Sequence, residues 1–345
     1  MRRPFRPAFA LHLILPLLMA TMAGSAHAGK VLDGIKQRGQ LRCGVSNGVA
    51  GFSAADEKGR WSGLDVDICR AVAAAVLGQP DKVSYVPLNS QQRFAALQSG
   101  QIDILSRNTS WTLTRDASLG LLFTAVTYYD GQGFLLPRKL KVDNARQLKG
   151  AQVCTQSGTT NEKNLADFSR THRLNIKPVV FDTYEAAFKA YFAGRCQAFT
   201  TDVSALSGIR NKEAPKPEDH VILPDLISKE PLGPLVRRGD EDWFTVVRWT
   251  VFALQEAEEL GITQANADAR RKTDDPAVQR LLGTGEDTGK LLGLDKDWAF
   301  RAIQAVGHYG EVFERNVGSQ SVLKLPRGPN RPWSQGGLIY APPVR

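Results

Sequence analysis

The sequence predicts an α/β fold in two lobes joined by two hinge crossings. Short apolar strands alternate with helical segments from Leu41 onward, and the alternation restarts in the same order after Gln152. Such alternation implies largely parallel sheets covered by helices. Two extended segments, residues 125–136 and 230–236, flank the second cycle, as an inserted lobe on a hinge requires. At 345 residues the chain also exceeds what one hydrophobic core comfortably serves.

Residues 1–28 read as a secretory signal. Arg2, Arg3 and Arg6 form the basic start, residues 8–22 an apolar core interrupted by Pro16, and Ala26-His27-Ala28 a small-x-small cleavage site. The apolar part is too short and too broken for a membrane span. With no Cys at the cleavage point to accept a lipid, the mature chain is expected to start near Gly29 and to be soluble after export.

In the first lobe, residues 41–45 read as a strand and 67–77 as an Ala-rich helix. A strand over 83–86, a short helix over 93–98 and a strand over 102–105 follow. The second cycle reads as a strand at 152–154, a helix at 162–170, a strand at 178–181, a helix at 184–192 and a strand at 198–200. Residues 29–130 are therefore expected to form the first part of lobe 1 and 131–232 the inserted lobe 2. Residues 233–345 return to lobe 1 and add a C-terminal extension. That last part carries a long amphipathic helix over 242–259, one helical segment over 298–315, and a Pro- and Gly-rich tail that wraps a lobe.

The formal net charge of +9 falls to +6 once the three signal arginines are removed. The remaining basic residues are scattered among acids without interleaved aromatics, which argues against a nucleic-acid face. Four cysteines, Cys43, Cys69, Cys154 and Cys196, survive processing into an oxidising compartment, so two disulfides are expected. Three pairings are possible in principle. The positions favour Cys43–Cys69 and Cys154–Cys196, because each first Cys sits at a strand and each second one lies a few dozen residues on. A metal site has little support: no Cys-x-x-Cys occurs, and the histidines are scattered.

Three polar segments stand where strands end. Ser110-Trp111-Thr112-Leu113-Thr114-Arg115 offers hydroxyls and a guanidinium fork suited to a carboxylate, although Arg115 could merely pair with Asp116. Gln156-Ser157-Gly158-Thr159-Thr160-Asn161 places a Gly turn and hydroxyls at a helix N-terminus, where they could meet an anion or simply cap through Thr160 or Asn161. Asp202 follows Thr201 at a strand end, as a cap or as the partner of an ammonium. An arginine in one lobe and an acid in the other describe a receptor for a zwitterion.

At this point the chain resembles a known family, the periplasmic amino-acid-binding proteins of ABC transporters (solute-binding protein family 3). Gly63-Leu64-Asp65-Val66-Asp67-Ile68 leading into Ala71-Val72-Ala73 is similar to the family signature before its first helix. Ser110 to Arg115 resembles the Ser-x-Thr-x-x-Arg element, Gly158-Thr159-Thr160 the second-lobe loop, and Gly194-Arg195-Cys196 through Thr201-Asp202 the segment that carries an acid. Gly310-Glu311-Val312-Phe313-Glu314-Arg315 and Tyr340-Ala341-Pro342-Pro343 resemble the general L-amino-acid branch. The resemblance covers essentially the whole mature chain.

What the resemblance implies is a type II periplasmic binding protein fold, the Venus flytrap. Ser110 and Arg115, with backbone amides near Asn108, would hold a ligand α-carboxylate. Asp202, Thr160 and Thr159 would engage from lobe 2 as the hinge closes, with Asp202 taking the α-ammonium. The family's aromatic wall aligns with Val49 or its vicinity, and Phe52 is kept as a candidate contact. The expected partners are an L-amino acid and an ABC permease with its ATPase, with the protein monomeric, periplasmic, free of cofactor and metal, and touching the inner membrane only through the permease. An exported dehydratase on the same fold is the enzymatic alternative, disfavoured because no His or carboxylate pair is evident near the site. A sensor module for a signalling receptor is the other.

Overall fold

A computed structural model describes residues 31–345. The secretory signal expected over residues 1–28, its cleavage site and the start near Gly29 lie outside the described residues.

Helix α1 (Val31–Arg38) precedes the buried strand β1 (Leu41–Val45), and a short pair, β2 (Ala54–Ala55) with β3 (Trp61–Ser62), leads into α2 (Leu64–Leu77). The α2 helix starts earlier than the expected residue 67 because Gly63 opens it. Gly63 has φ +133°, and a Cβ there would sit 2.1 Å from the Phe52 carbonyl oxygen. At its other end Gly78 takes the left-handed conformation and closes on the Ala74 carbonyl. β4 (Val83–Pro87), α3 (Arg93–Gln98), β5 (Ile104–Leu105), α4 (Leu113–Ser118) and β6 (Leu121–Phe123) follow.

The chain then runs through β7 (Tyr128–Asp130), β8 (Gln132–Pro137), β9 (Gln152–Gln156), α5 (Thr160–Thr171), β10 (Lys177–Phe181), α6 (Tyr184–Phe192) and β11 (Ala198–Asp202). After α7 (Val203–Gly208) and β12 (His220–Ile222) it returns along β13 (Glu230–Leu232) and β14 (Leu235–Arg237). The remainder is helical: α8 (Glu241–Glu259), α9 (Ala267–Arg270), α10 (Pro276–Leu281), α11 (Trp298–Val306) and α12 (Tyr309–Asn316). The single helical segment expected over 298–315 is thus two helices. Gly307, at φ +74°, breaks it, and His308 restarts it as a cap whose Nδ1 accepts the Glu311 N–H while the Glu311 carboxylate accepts the His308 N–H.

Two five-stranded sheets result, one per lobe, ordered β4-β1-β5-β14-β6 and β10-β9-β11-β8-β12. In each, a parallel set (β4, β1, β5 or β10, β9, β11) is extended by an antiparallel strand that enters across the hinge, β14 or β8, and then by β6 or β12 from the same lobe. The crossings pair with each other: β7 and β13 form an antiparallel ribbon with Glu230 opposite Asp130 and Leu232 opposite Tyr128. The larger core lies under lobe 1, where the small face of α2, including Ala71, Ala73 and Ala75, lets α11 and α8 approach and bury Trp243 and Trp298. Cys43 in β1 is joined to Cys69 in α2, and Cys154 in β9 to Cys196 before β11, so each bridge ties a central strand of one lobe to its flank. Among the described residues no helix is long and apolar enough to cross a membrane.

Candidate functional site

The parallel strands of both sheets end at the cleft between the lobes, where loops at strand ends commonly carry ligands. From lobe 1, the chain leaving β5 runs through Ser106 to Ser110, a polar stretch buried except at Asn108. Thr112 caps α4 by accepting the Arg115 N–H at 3.3 Å, and this turns the Arg115 side chain inward. Its Nη1 donates to the Ser110 carbonyl at 2.8 Å and its guanidinium lies over the Phe94 ring, so the pairing with Asp116 considered above does not form. Burial pulls the Arg115 pKa down, while Glu230 and Asp202 hold it up.

From lobe 2, Thr159 caps α5, accepting the Glu162 N–H at 3.1 Å and donating its own hydroxyl to the Gln156 carbonyl at 2.7 Å. Capping therefore falls on Thr159 rather than on Thr160 or Asn161, and the Thr160 hydroxyl is left to face the cleft. It donates to Glu230 Oε2 at 2.9 Å and lies 3.4 Å from the Ser110 hydroxyl of the opposite lobe. Asp202 stands at the N-terminus of α7, yet its side chain caps nothing; it accepts from Asn161 Nδ2 at 2.9 Å. Burial drives its pKa well up, Asp130 and Glu230 push it further, and the Asn161 bond and Arg115 oppose.

Ser110, Arg115, Thr159, Thr160, Asn161 and Asp202 line one cavity of about 30 Å³ together with Val49, Arg93, Arg107, Asn108 and Tyr184. The lobes meet around it. Gln91 Nε2 donates to Ser157 Oγ at 2.8 Å, and Arg93 Nη2 reaches the Gly158 carbonyl at 3.4 Å.

Two expectations need correction. The Asn108 amide is not free for a ligand, because its N–H donates to Asp65 Oδ2 at 2.7 Å; what Asn108 presents is a buried side-chain oxygen without a partner. Phe52 does not line the cavity. It is buried edge-on against Tyr128, and Val49 takes the wall position.

Several residues escaped the sequence reading. Arg93 is 3% exposed, and its Nε is buried without a partner. Arg107 spans to the Leu88 carbonyl at 2.9 Å and to Ser90 Oγ at 3.2 Å. Burial lowers the Arg93 pKa well below the usual arginine range and brings Arg107 down to about 10, with Asp65 holding Arg107 up. Asp65 itself is pushed up to about 7 by burial, against bonds from Asn108 and Ser106 and the charge of Arg107. Glu230, from the hinge ribbon, accepts from Thr160, Asn164 and Ser228. A carboxylate cluster of Asp130, Asp202 and Glu230 is thus present where the sequence reading saw no pair. An Arg opening an otherwise apolar helix, as in Arg93-Phe94-Ala95-Ala96-Leu97, was the signal available for one of these. Among the described residues no group of three or more His, Cys, Asp or Glu could hold a metal ion. Chemically, the cavity offers guanidinium from one lobe and carboxylate from the other, the complement of a small zwitterion.

Comparison with known proteins points the same way. The model for bacterial extracellular solute-binding proteins, family 3, matches residues 41–266. The General L-amino acid-binding periplasmic protein AapJ of Rhizobium johnstonii is 52% identical over 94% of this chain and 95% of its own length. The Glutamate/glutamine/aspartate/asparagine-binding protein BztA of Rhodobacter capsulatus is 52% identical over 95% of this chain and 97% of its own. Among solved structures, a periplasmic binding protein from Brucella ovis with glutathione bound matches with a TM-score of 0.90 at 53% identity, covering 92% of this chain and 99% of that one.

Proposed function

The chain belongs to family 3 of the bacterial extracellular solute-binding proteins, and on that premise we propose that it captures L-amino acids in the periplasm and delivers them to an ABC importer. One observation carries the reading: Arg115 from lobe 1 and Asp202 from lobe 2 are both buried at the same cavity. The Arg115 fork and the Ser110 hydroxyl receive the α-carboxylate, while Asp202 and the Thr160 hydroxyl receive the α-ammonium. Neither lobe holds both ends, so ligand contacts complete only on closure, which makes the closed form the one that ligand favours.

The unpartnered Nε of buried Arg93 supports ligands whose side chain ends in a carboxylate or amide oxygen. BztA, named for glutamate, glutamine, aspartate and asparagine, is similar across nearly the whole chain. The permease with its ATPase is the partner of the closed form, and the protein acts as a monomer reaching the periplasm by cleavage of its first 28 residues. Calorimetry of the mature protein with the twenty L-amino acids and glutathione tests the proposal. Micromolar or tighter binding of acidic and amide amino acids is expected; absence of binding to every one overturns it.

A further inference from the structure

We propose that Asn161 is the positioning residue for Asp202, fixing that carboxylate so that one oxygen stays open to a ligand ammonium. The inference rests on the reading of Asp202 given above. Asn161 Nδ2 donates to Asp202 Oδ1 at 2.9 Å, and its Oδ1 accepts from Thr201 Oγ1 at 3.4 Å, so both ends of the amide are fixed. The Asn161 carbonyl in turn accepts from Gln132 Nε2 at 2.9 Å. Gln132 is completely buried and gives its second amide bond to Thr200 Oγ1 at 2.9 Å, whose hydroxyl closes on the Gly133 carbonyl at 2.7 Å. The first turn of α5 is thereby stapled to β8 and β11, and the carboxylate at the end of β11 inherits its orientation.

The groups facing Asp202 divide by sign. Asp130 on β7 and Glu230 on β13 disfavour its charge, as does burial; Arg115 on α4, with Arg93 and Arg107, favours it, and the Tyr184 and Tyr128 hydroxyls stand nearby. Asn161 is the neutral donor that helps tip this balance toward the anion.

The test is the pH profile of L-glutamine affinity, a ligand whose side chain does not titrate, by calorimetry from pH 5.5 to 8.5. Asn161→Ala is expected to move the midpoint of acid-side affinity loss up by about one pH unit, weakening binding roughly tenfold near neutrality while approaching wild type at high pH. Asn161→Asp, of nearly the same shape, should move it further, and Asn161→Ser, which keeps a short donor, should restore most of it. Variants whose midpoint equals wild type, whether affinity is unchanged or uniformly reduced, overturn the proposal. A wild type that binds no amino acid overturns the functional reading beneath it.

A separate set of contacts carries a second inference: we infer that the chain after Val317 is a strap over the hinge. It lies beyond residue 266, where the family match ends. Asn330, 2% exposed, accepts the Tyr129 N–H at 2.6 Å and donates to the Tyr129 carbonyl at 3.1 Å, satisfying both backbone groups of the middle residue of β7. Arg327 anchors this turn with a fork on Glu258 of α8, at 2.9 and 3.1 Å, and a bond to the Asn330 carbonyl at 2.7 Å. Earlier in the strap, the Val322 carbonyl accepts from Asn211 of lobe 2 at 3.0 Å. The strap is thus fixed to lobe 1, pinned to the hinge and bonded to lobe 2 in the closed arrangement.

Asn211→Ala and Asn330→Ala, neither at the ligand cavity, test this through L-glutamine affinity and dissociation rate by stopped flow. Faster release and roughly 2- to 10-fold weaker binding are expected from the loss of one or two bonds. Wild-type affinity and release in both variants overturn it.

Discussion

In its folded position the Arg115 guanidinium spends one of its five donors on the Ser110 carbonyl, rests on Phe94 and lines the cavity. The fold gains little from such an arrangement, because burial works against the charge. Arg115→Ala is therefore expected to weaken amino-acid binding by about 100-fold or more, two charge-assisted bonds contributing roughly 1.5–3 kcal/mol each, with the ligand-free melting temperature within a few degrees of wild type. Arg115→Lys should recover little, since a point charge cannot grip two oxygens at once. Calorimetry and thermal melts of both variants check this. Ser110, Arg115, Thr160 and Asp202, which the structure brings to one cavity, were legible in the sequence because each belongs to a polar segment at a strand's end and carries a chemically distinctive group. Arg93, Arg107 and Glu230 were not, because a charged side chain in a sequence reads as solvated and only tertiary packing buries it. Phe52 misled for the converse reason: an aromatic in a loop could face the ligand or the core, and Tyr128 decides for the core.

Elements were legible where apolar runs met punctuation, and their boundaries moved where a glycine intervened. Gly63 lengthened α2 at its start, and Gly307 divided one expected helix into α11 and α12. Gly158, between β9 and α5, has φ +71°, and a Cβ there would stand 3.2 Å from Gln91 Cγ of the opposite lobe. Gly158→Ala is expected to destabilise the ligand-free protein by roughly 1 kcal/mol through the left-handed backbone. It should weaken ligand binding as well, because the added methyl group presses on the closed interface; denaturant titration and calorimetry separate the two effects. The disulfides act at the same scale, closing loops of 26 and 42 residues. The chain-entropy model assigns them about 3.5 and about 4 kcal/mol. Replacing Cys154 and Cys196 together by Ser should lower the denaturation midpoint by a corresponding amount, whereas an unchanged midpoint would mean that the second lobe holds β9 and the turn before β11 together without the bridge.

At the scale of the molecule, two lobes were readable because the strand–helix cycle repeats. Closure was not, since it depends on pairs such as Gln91 with Ser157 and Ser110 with Thr160 that no local pattern announces. The fold also buries several acids, and this gives the protein an unusual response to pH. Burial pushes Asp65 up to about 7, Asp130 up to about 6 and Asp202 well above the ordinary range. In the unfolded chain these groups titrate near 3.9. On acidification the folded state therefore takes up protons before the unfolded state does, and stability rises as pH falls through the folded values. His220 and His308, held low by burial, work in the opposite sense once pH drops below about 6.5. Between pH 8.5 and 6.5 the ligand-free melting temperature should thus rise, by on the order of a few degrees. Ligand binding responds the other way, because Asp202 must be charged to hold an ammonium. The upward shift in melting temperature given by saturating L-glutamine should consequently shrink over the same interval. Scanning calorimetry with and without the amino acid reads both trends. A ligand shift that stays constant while the free protein gains stability would place the ammonium contact on a group other than Asp202.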